Sequence, residues 1–421
     1  MSIEERNRIL TKKRWLVLVA CCAANLALGA FFAWSVFAGP MAERLNALQG
    51  TSLSAADLAI VFSLANGVGV ISMVAGGAAE KKLGSRLVIL TGSALFGLGF
   101  IISGLAKSVA VLMLGFSIVG GLANGFAYVC TVNTPVQFFP DRRGFAGGMS
   151  TAFYGISAII MPPIADAVNR SMGVSWSFII FGLAIIVISA LSCIFIINCP
   201  EDFVPEGWDP SSARTELGSA GDKSPRQLMK DPVFYVMIGL FFSGCGLGLM
   251  MISETASIAR SMIGMTSAAA ALAVSVLSLF NTFGRVAAGW ISDRIGRINT
   301  LTLELSLAAV GLVLMYISGG NQSVLLFCVG ICLVGLCYGA FIGVYPGFSN
   351  DQFGKSYSSV NYALMFIGNA LSGFAAQILM QRIYSSHNSY RPAFLFAQGF
   401  VIIGLLLCFA YKILTTKKDT V

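Results

Sequence analysis

Apolar runs of about twenty residues, nearly free of charge, alternate with short polar breaks along this chain, from Trp15 to Tyr411. Each run is long enough for a helix to cross a hydrocarbon core about 30 Å thick, where the backbone must satisfy its own hydrogen bonds. Twelve such spans are predicted, over 15–38, 57–79, 87–106, 109–135, 145–168, 175–198, 233–253, 267–290, 300–318, 323–347, 357–381 and 392–412. The first is too long for a signal-peptide core and lacks a small-residue cleavage site, so it is expected to remain as a helix. The pattern predicts an all-α membrane protein.

One polar break differs from the others. Between Cys199 and Asp231 the segment EDFVPEGWDPSSARTELGSAGDKSPRQ is rich in Pro, Gly, Ser and charge, which reads as a linker with room for a short surface helix. It divides the spans six and six. The expected organisation is a cytoplasmic tail over 1–14, a six-helix bundle over 15–198, the linker over 199–231, a second bundle over 232–412, and a tail over 413–421. The halves also echo one another: GGAAEKKLGSR follows the second span and GWISDRIGR follows the eighth. Two such halves are a known transporter layout, with the binding site near the midplane.

Composition sharpens this picture. Hydrophobic residues make up 56% of the chain and charged residues only 11%, leaving little chain for a soluble domain. With both termini inside, twenty Lys and Arg fall in inner segments and six (Arg44, Lys107, Arg170, Arg260, Arg382 and Arg391) in outer ones. That bias predicts cytoplasmic termini in a multi-pass protein of the cytoplasmic (inner) membrane. The net charge of +8 is then a topology signal beside anionic lipid headgroups, and no nucleic-acid partner is expected. Nine of the ten cysteines lie within spans, and Cys199 lies just past one. Cys328 and Cys332 share a helical face, yet no His or carboxylate joins them, so no metal site or cofactor is expected. The single histidine, His387, falls in a short outer loop. No nucleophile–base pair or acid pair is visible at mid-span, which argues against an enzyme.

The twenty-seventh basic residue, Arg285, lies inside a span. Eight residues separate it from Asp293, which puts it about 12 Å inside the end of a helix. A cation at that depth costs at least about 2.5–3.5 kcal/mol and marks a functional site by default. Ser278, Asn281, Thr282 and Arg285 follow the i, i+3, i+4, i+7 spacing and form one polar stripe. A planar guanidinium matches the two oxygens of a carboxylate, so an anionic carboxylate substrate fits the stripe. The alternative is a structural ion pair. The acids nearest the spans (Asp57, Glu80, Asp141, Asp166, Glu254, Asp293 and Glu304) all lie toward span ends or in loops, which favours the substrate role.

The pattern Gly-x-x-x-Asp-Arg-x-Gly-Arg, intact as Gly289, Asp293, Arg294, Gly296 and Arg297, resembles the signature loop of the major facilitator superfamily. The first-half copy is degraded, with Glu80, Lys81 and Lys82 in place of Asp and Arg. RQLMKDPVFY, GLGLMMISETASIA, FFPDRRGFAGGMSTAFYG and NTFGRVAAGWISDRIGR narrow the likeness to the oxalate/formate antiporter family, allied to the monocarboxylate transporters. The resemblance runs from about Arg14 to Tyr411. It implies two pseudo-symmetric six-helix bundles and, at Arg285, a residue that binds substrate carboxylate.

Two departures bear on substrate and coupling. Dicarboxylate-handling relatives carry a lysine in the eleventh span, where this chain has Asn369. A single fixed cation favours a monoanion such as lactate, pyruvate or formate, because a second buried carboxylate would go unpaired. Animal monocarboxylate transporters carry an aspartate four residues before the arginine, where this chain has Asn281, so the proton relay found there is missing. The resemblance also points to Phe32 and Trp34 as cavity aromatics. Asn124 and Tyr128 in the fourth span, and Tyr338, Phe341 and Tyr345 in the tenth, are further wall candidates. Each of these aromatics either closes over substrate or simply packs. Asp293, Arg294, Arg297 and Glu80 are candidate gating charges. The expected activity is transport of a small monocarboxylate by alternating access in a single chain, through proton symport or carboxylate exchange.

Overall fold

The computed structural model describes residues 2–209 and 222–416. Its regular structure, among the described residues, is helical throughout. Twelve helices are long and apolar enough to cross a membrane: α1 (Ile3–Gln49), α2 (Ala59–Leu83), α3 (Ser85–Gly104), α4 (Val109–Phe138), α5 (Arg143–Met172), α6 (Val174–Phe195), α7 (Pro232–Ser261), α8 (Ser267–Ile295), α9 (Arg297–Asn321), α10 (Val324–Phe353), α11 (Ser358–His387) and α12 (Arg391–Thr416). Each contains one of the twelve expected spans or nearly all of it.

The helix ends follow local chemistry. Ser2 caps α1 by accepting from the Glu5 amide at 3.1 Å, and Glu4 and Glu5 lie in the first turn, where the helix dipole favours negative charge. The segment expected as a tail over 1–14 is therefore helical from Ile3 onward. At the other end α12 runs to Thr416, and the remaining tail over 417–421 lies outside the described residues. Much of the linker, over 210–221, lies outside them as well. Past it, Ser224 and Gln227 form a capping box that starts a single turn, Pro225–Leu228. Asp222 accepts from the Lys355 amide at 2.7 Å and from the Ser356 amide and hydroxyl. Burial pushes the Asp222 carboxyl up, but these hydrogen bonds outweigh it and hold the group below the usual carboxylate range.

By contact the chain separates into two compact units. One comprises Met1–Pro140, Phe153–Trp208 and Tyr357–Ala363; the other comprises Asp141–Ala152, Asp209–Ser356 and Leu364–Val421. Each sequence half thus lends one short segment to the other unit, the first turns of α5 and of α11.

The first unit is built around aromatics. α1 tightens into a 3-10 turn at Gly29–Ala33, and Phe31, Trp34 and Phe37 from this stretch join Phe96, Phe100, Phe116 and Phe178 in one buried cluster. Phe31 stacks on Phe116 at 5.4 Å and Phe37 on Phe178 at 4.2 Å. In this unit α2 packs on α4 and α3 packs on α6.

In the second unit α8 and α10 make the most extensive helix pair. Their approach is close because α10 presents Gly335, Gly339 and Gly343 at i, i+4, i+8. A Cβ on Gly339 would overlap the Asn281 carbonyl oxygen, and one on Gly343 would lie 2.7 Å from the Arg285 Cα. Gly148 on the first turns of α5 meets the same Arg285 carbonyl, so a Cβ there would also overlap it. Small residues that let backbones touch are the usual packing device between membrane helices. These glycines therefore serve helix approach, and they fix the backbone of α8 at Arg285. Gly343→Ala is expected to destabilise the protein by about 1–3 kcal/mol through overpacking. Gly39→Ala, at a helical position with no neighbour within 4 Å, should not lower the thermal unfolding temperature in detergent.

Candidate functional site

The Arg285 side chain is only 7% exposed. Its Nη1 donates to the Thr151 carbonyl oxygen at 2.6 Å and its Nε donates to Asn281 Oδ1 at 3.3 Å. The predicted stripe is real in its lower half. Asn281 lies one turn before Arg285 and holds its guanidinium, while Ser278 and Thr282 turn back to the backbone carbonyls of Val274 and Ser278. Thr151 belongs to the first turns of α5; its hydroxyl donates to the Gly147 carbonyl at 2.9 Å, and its own carbonyl accepts from Arg285. Thr151 was invisible to sequence reading, because a backbone acceptor leaves no trace in residue type.

No ion pair among the described residues includes Arg285. The acids offered by the sequence as partners are engaged elsewhere or form no ion pair among the described residues. Asp166 pairs with Arg170 at 2.8 Å, Asp141 lies 3.7 Å from Arg142, and Glu254 accepts from the Tyr390 hydroxyl at 3.1 Å. Asp57 accepts from Ser54, and Glu80 accepts from the Ser85 hydroxyl at 2.5 Å. Arg285 is thus a buried cation held by neutral oxygens alone, a state that leaves its charge unneutralised.

Other wall candidates in the second unit divide into two kinds. Tyr338 on α10 is half-buried, with its Cβ against Gly248 of α7. Asn369 on α11 is half-buried, and its Oδ1 is buried without a hydrogen-bond partner. Phe341 is fully buried and stacks toward Tyr345 at 6.0 Å. Tyr345 in turn stacks on Phe241 at 3.9 Å and donates to the Met237 carbonyl at 2.7 Å. Phe341 and Tyr345 are thereby committed to the core.

In the first unit a polar-aromatic group forms around Tyr154, a residue the sequence reading passed over. Its hydroxyl donates to Asn124 Oδ1 at 3.3 Å, its ring lies 4.6 Å from that of Tyr128, and Phe32 meets it edge-on at 5.2 Å. Asn124 Nδ2 donates to the Leu28 carbonyl at 2.9 Å, where α1 begins to tighten. The segment GMSTAFYG held the signal for Tyr154, as a lone phenol among small residues. Trp34, by contrast, packs on Phe116 at 4.5 Å within the aromatic core.

The intact loop motif builds a dense charge network. Asp293 accepts from the Gly144 and Phe145 amides, both at 2.8 Å, and so caps the start of α5. Arg297 Nη1 donates to Asp293 at 2.6 Å and to the Ser292 hydroxyl at 2.6 Å. Its Nε donates to Asp351 at 2.8 Å, and Asp351 also accepts from Arg143 at 2.5 Å. Arg294 stands outside this network: it is exposed and lies over the Trp290 ring at 3.5 Å. Asp351 and Arg143 were not anticipated, since their partners lie far off in sequence. The degraded copy forms no ion pair at Glu80 among the described residues, and Lys81 lies over the Tyr357 ring at 3.5 Å.

Residues 19–377 match the sequence model of the Major Facilitator Superfamily. The oxalate:formate antiporter of Oxalobacter formigenes is 28% identical over 362 residues, covering 86% of this chain and 82% of that protein. Monocarboxylate transporter 13 of Rattus norvegicus is 23% identical over 331 residues, covering 78% and 74%. Among solved structures, the proton:xylose symporter XylE superposes with a TM-score of 0.72 at 16% identity, covering 94% of this chain and 95% of that one.

Removing one partner from a buried charge network strands the others. Asp351→Asn, which leaves Arg143 and Arg297 short of a charge, should cost about 3–5 kcal/mol. Arg294→Ala should cost about 0.5–1 kcal/mol, as for an exposed cation–π pair. Thermal unfolding of the two variants in detergent checks the order, and a larger loss for Arg294→Ala would contradict it.

Proposed function

From the premise that the chain belongs to the Major Facilitator Superfamily and is a transporter, we propose that it carries small monocarboxylate anions, with Arg285 as the anchor for the carboxylate. One observation carries this reading: Arg285 is buried with no acid partner among the described residues, held in place by Thr151 and Asn281. A guanidinium positioned by neutral oxygens keeps its charge for an incoming anion, and a bidentate carboxylate would supply the missing counter-charge. The oxalate:formate antiporter and the monocarboxylate transporter found among the relatives support a carboxylate as the cargo.

Charge count favours a cargo with a single negative charge. Asn369 stands where dicarboxylate-handling relatives resembled by this chain carry lysine, and its Oδ1 is buried without a partner. An amide there can hydrogen-bond a hydroxyl or a neutral end of the substrate, whereas a second carboxylate would be buried unpaired at a cost of several kcal/mol. Lactate, pyruvate and formate fit this count better than oxalate. Tyr338, Tyr128, Asn124 and Phe32 are the further wall residues in this reading, and Tyr154 joins them.

The Asp293–Arg297–Asp351–Arg143 network is the natural gate. Its ion pairs join α8, α9 and α10 to the start of α5, and alternating access requires such a cluster to break and re-form. The excess of basic residues in the intervening segments supports a cytoplasmic position for this end and for both termini, in an inner-membrane carrier. The carrier works as a single chain. Proton symport is the preferred coupling, because a monoanion moving with one proton is electroneutral. Carboxylate exchange is the second reading, favoured by the oxalate:formate antiporter among the relatives.

Uptake of radiolabelled lactate, pyruvate, formate and oxalate into proteoliposomes, with a pH gradient or with internal counter-substrate, tests the assignment. Monocarboxylate flux is expected, and no flux of any of the four acids would sink it. Arg285→Gln should lower apparent affinity roughly 30-fold or more, as for truncating one side of a buried charge pair. Asn369→Lys should move preference toward oxalate; unchanged selectivity would count against the charge-count argument.

A further inference from the structure

A second ionisable group lies inside a span with no ion-pair partner among the described residues. The buried face of α9 includes Thr300, Leu301, Glu304, Leu305, Ala308 and Leu312, and Glu304 is its one charged member. The residue is 6% exposed, its Oε2 is buried without a hydrogen-bond partner, and no ion pair among the described residues includes it. It lies seven residues along α9 from Arg297, about 10 Å deeper along the helix axis.

Among the described residues, the groups on the helices packed against α9 supply no ion-pair cation to it. On α10 the Cys337 thiol lies within electrostatic reach of Glu304, while Asp351 is committed to Arg297 and Arg143. On α12 Cys408 meets the Thr302 hydroxyl, and Lys412 donates to Asn299 Oδ1 at 2.8 Å. On α8 Asp293 pairs with Arg297, and Arg285 is bound to Thr151 and Asn281. An ionised carboxylate in such surroundings would be costly, and the neutral acid avoids that cost. Substrate anchoring by Arg285 makes no use of this group.

We propose that Glu304 is a proton-binding site of the transport cycle, neutral while the Arg297–Asp351 pair is closed and able to release its proton when that pair opens. The step is a simple ionisation. The carboxyl O–H bond breaks, the proton passes to water admitted along α9, and the carboxylate remains. One proton carried at Glu304 balances one carboxylate carried at Arg285. The two conformations must differ in proton affinity for this to couple transport to a pH gradient, and access of water to α9 provides the difference. This inference rests on the symport form of the proposed function.

Infrared difference spectra of the reconstituted full-length protein, taken between acid and alkaline pH, test the proton directly. The expected result is a protonated-carboxyl carbonyl band that shifts in Glu304→Asp and is lost in Glu304→Gln. A titrating spectrum identical in wild type and Glu304→Asp would overturn the proposal. In proteoliposomes, the ratio of pH-driven to counterflow uptake of labelled lactate should fall several-fold in Glu304→Gln and recover in Glu304→Asp. An unchanged ratio in Glu304→Gln would overturn it as well, since a packing role would tolerate the isosteric amide better than the shorter acid. Absence of carboxylate flux in the wild type would instead defeat the proposed function, and the infrared band would still decide the state of Glu304.

Discussion

A guanidinium inside an apolar helix has to be given oxygen acceptors, and much of the second unit is arranged around that requirement. Arg285 finds one acceptor on its own helix, at Asn281, and one on the first turns of α5, at the Thr151 carbonyl. Neither is charged. The Thr151 contact needs α5 to approach α8 closely, which Gly148 permits, and the same stretch of α8 is held from the other side by Gly339 and Gly343 of α10. Backbone fit and electrostatics thus meet at one residue.

The same few turns of α5 carry the charge network below. Asp293 caps the start of α5, Arg143 at that start reaches Asp351, and Arg297 ties both acids together. Breaking contacts between α5 and α8 would therefore disturb both the Thr151 acceptor and the capped helix start. In the proposed cycle this links the state of the gate to the freedom of the anchor, through one short segment rather than through a chain of side chains.

The degree to which this was legible from sequence varies by residue. Twelve spans, the isolated cation at Arg285 and its partner Asn281 all follow from apolar run length and helical spacing, both of which are local. What could not be read were pairings across large sequence distance: Asp351 with Arg143 and Arg297, and Tyr154 with Asn124. Thr151 acts through its backbone carbonyl, which no residue type encodes. Arg294 shows the reverse case. It belongs to the motif yet lies on Trp290, because its position on α8 faces away from the acids that Arg297 reaches. Phe341 and Trp34 are aromatic at suggestive positions, but α10 and α1 turn them into their cores.

The central claim is that Arg285 recognises the negative charge of a small acid. Binding of lactate and of lactamide, its neutral isostere, to the purified protein compares the two with size and shape nearly constant. The account predicts saturable binding of lactate that is lost in Arg285→Gln, and no measurable binding of lactamide. Equal binding of both, or lactate binding that survives Arg285→Gln, would contradict it.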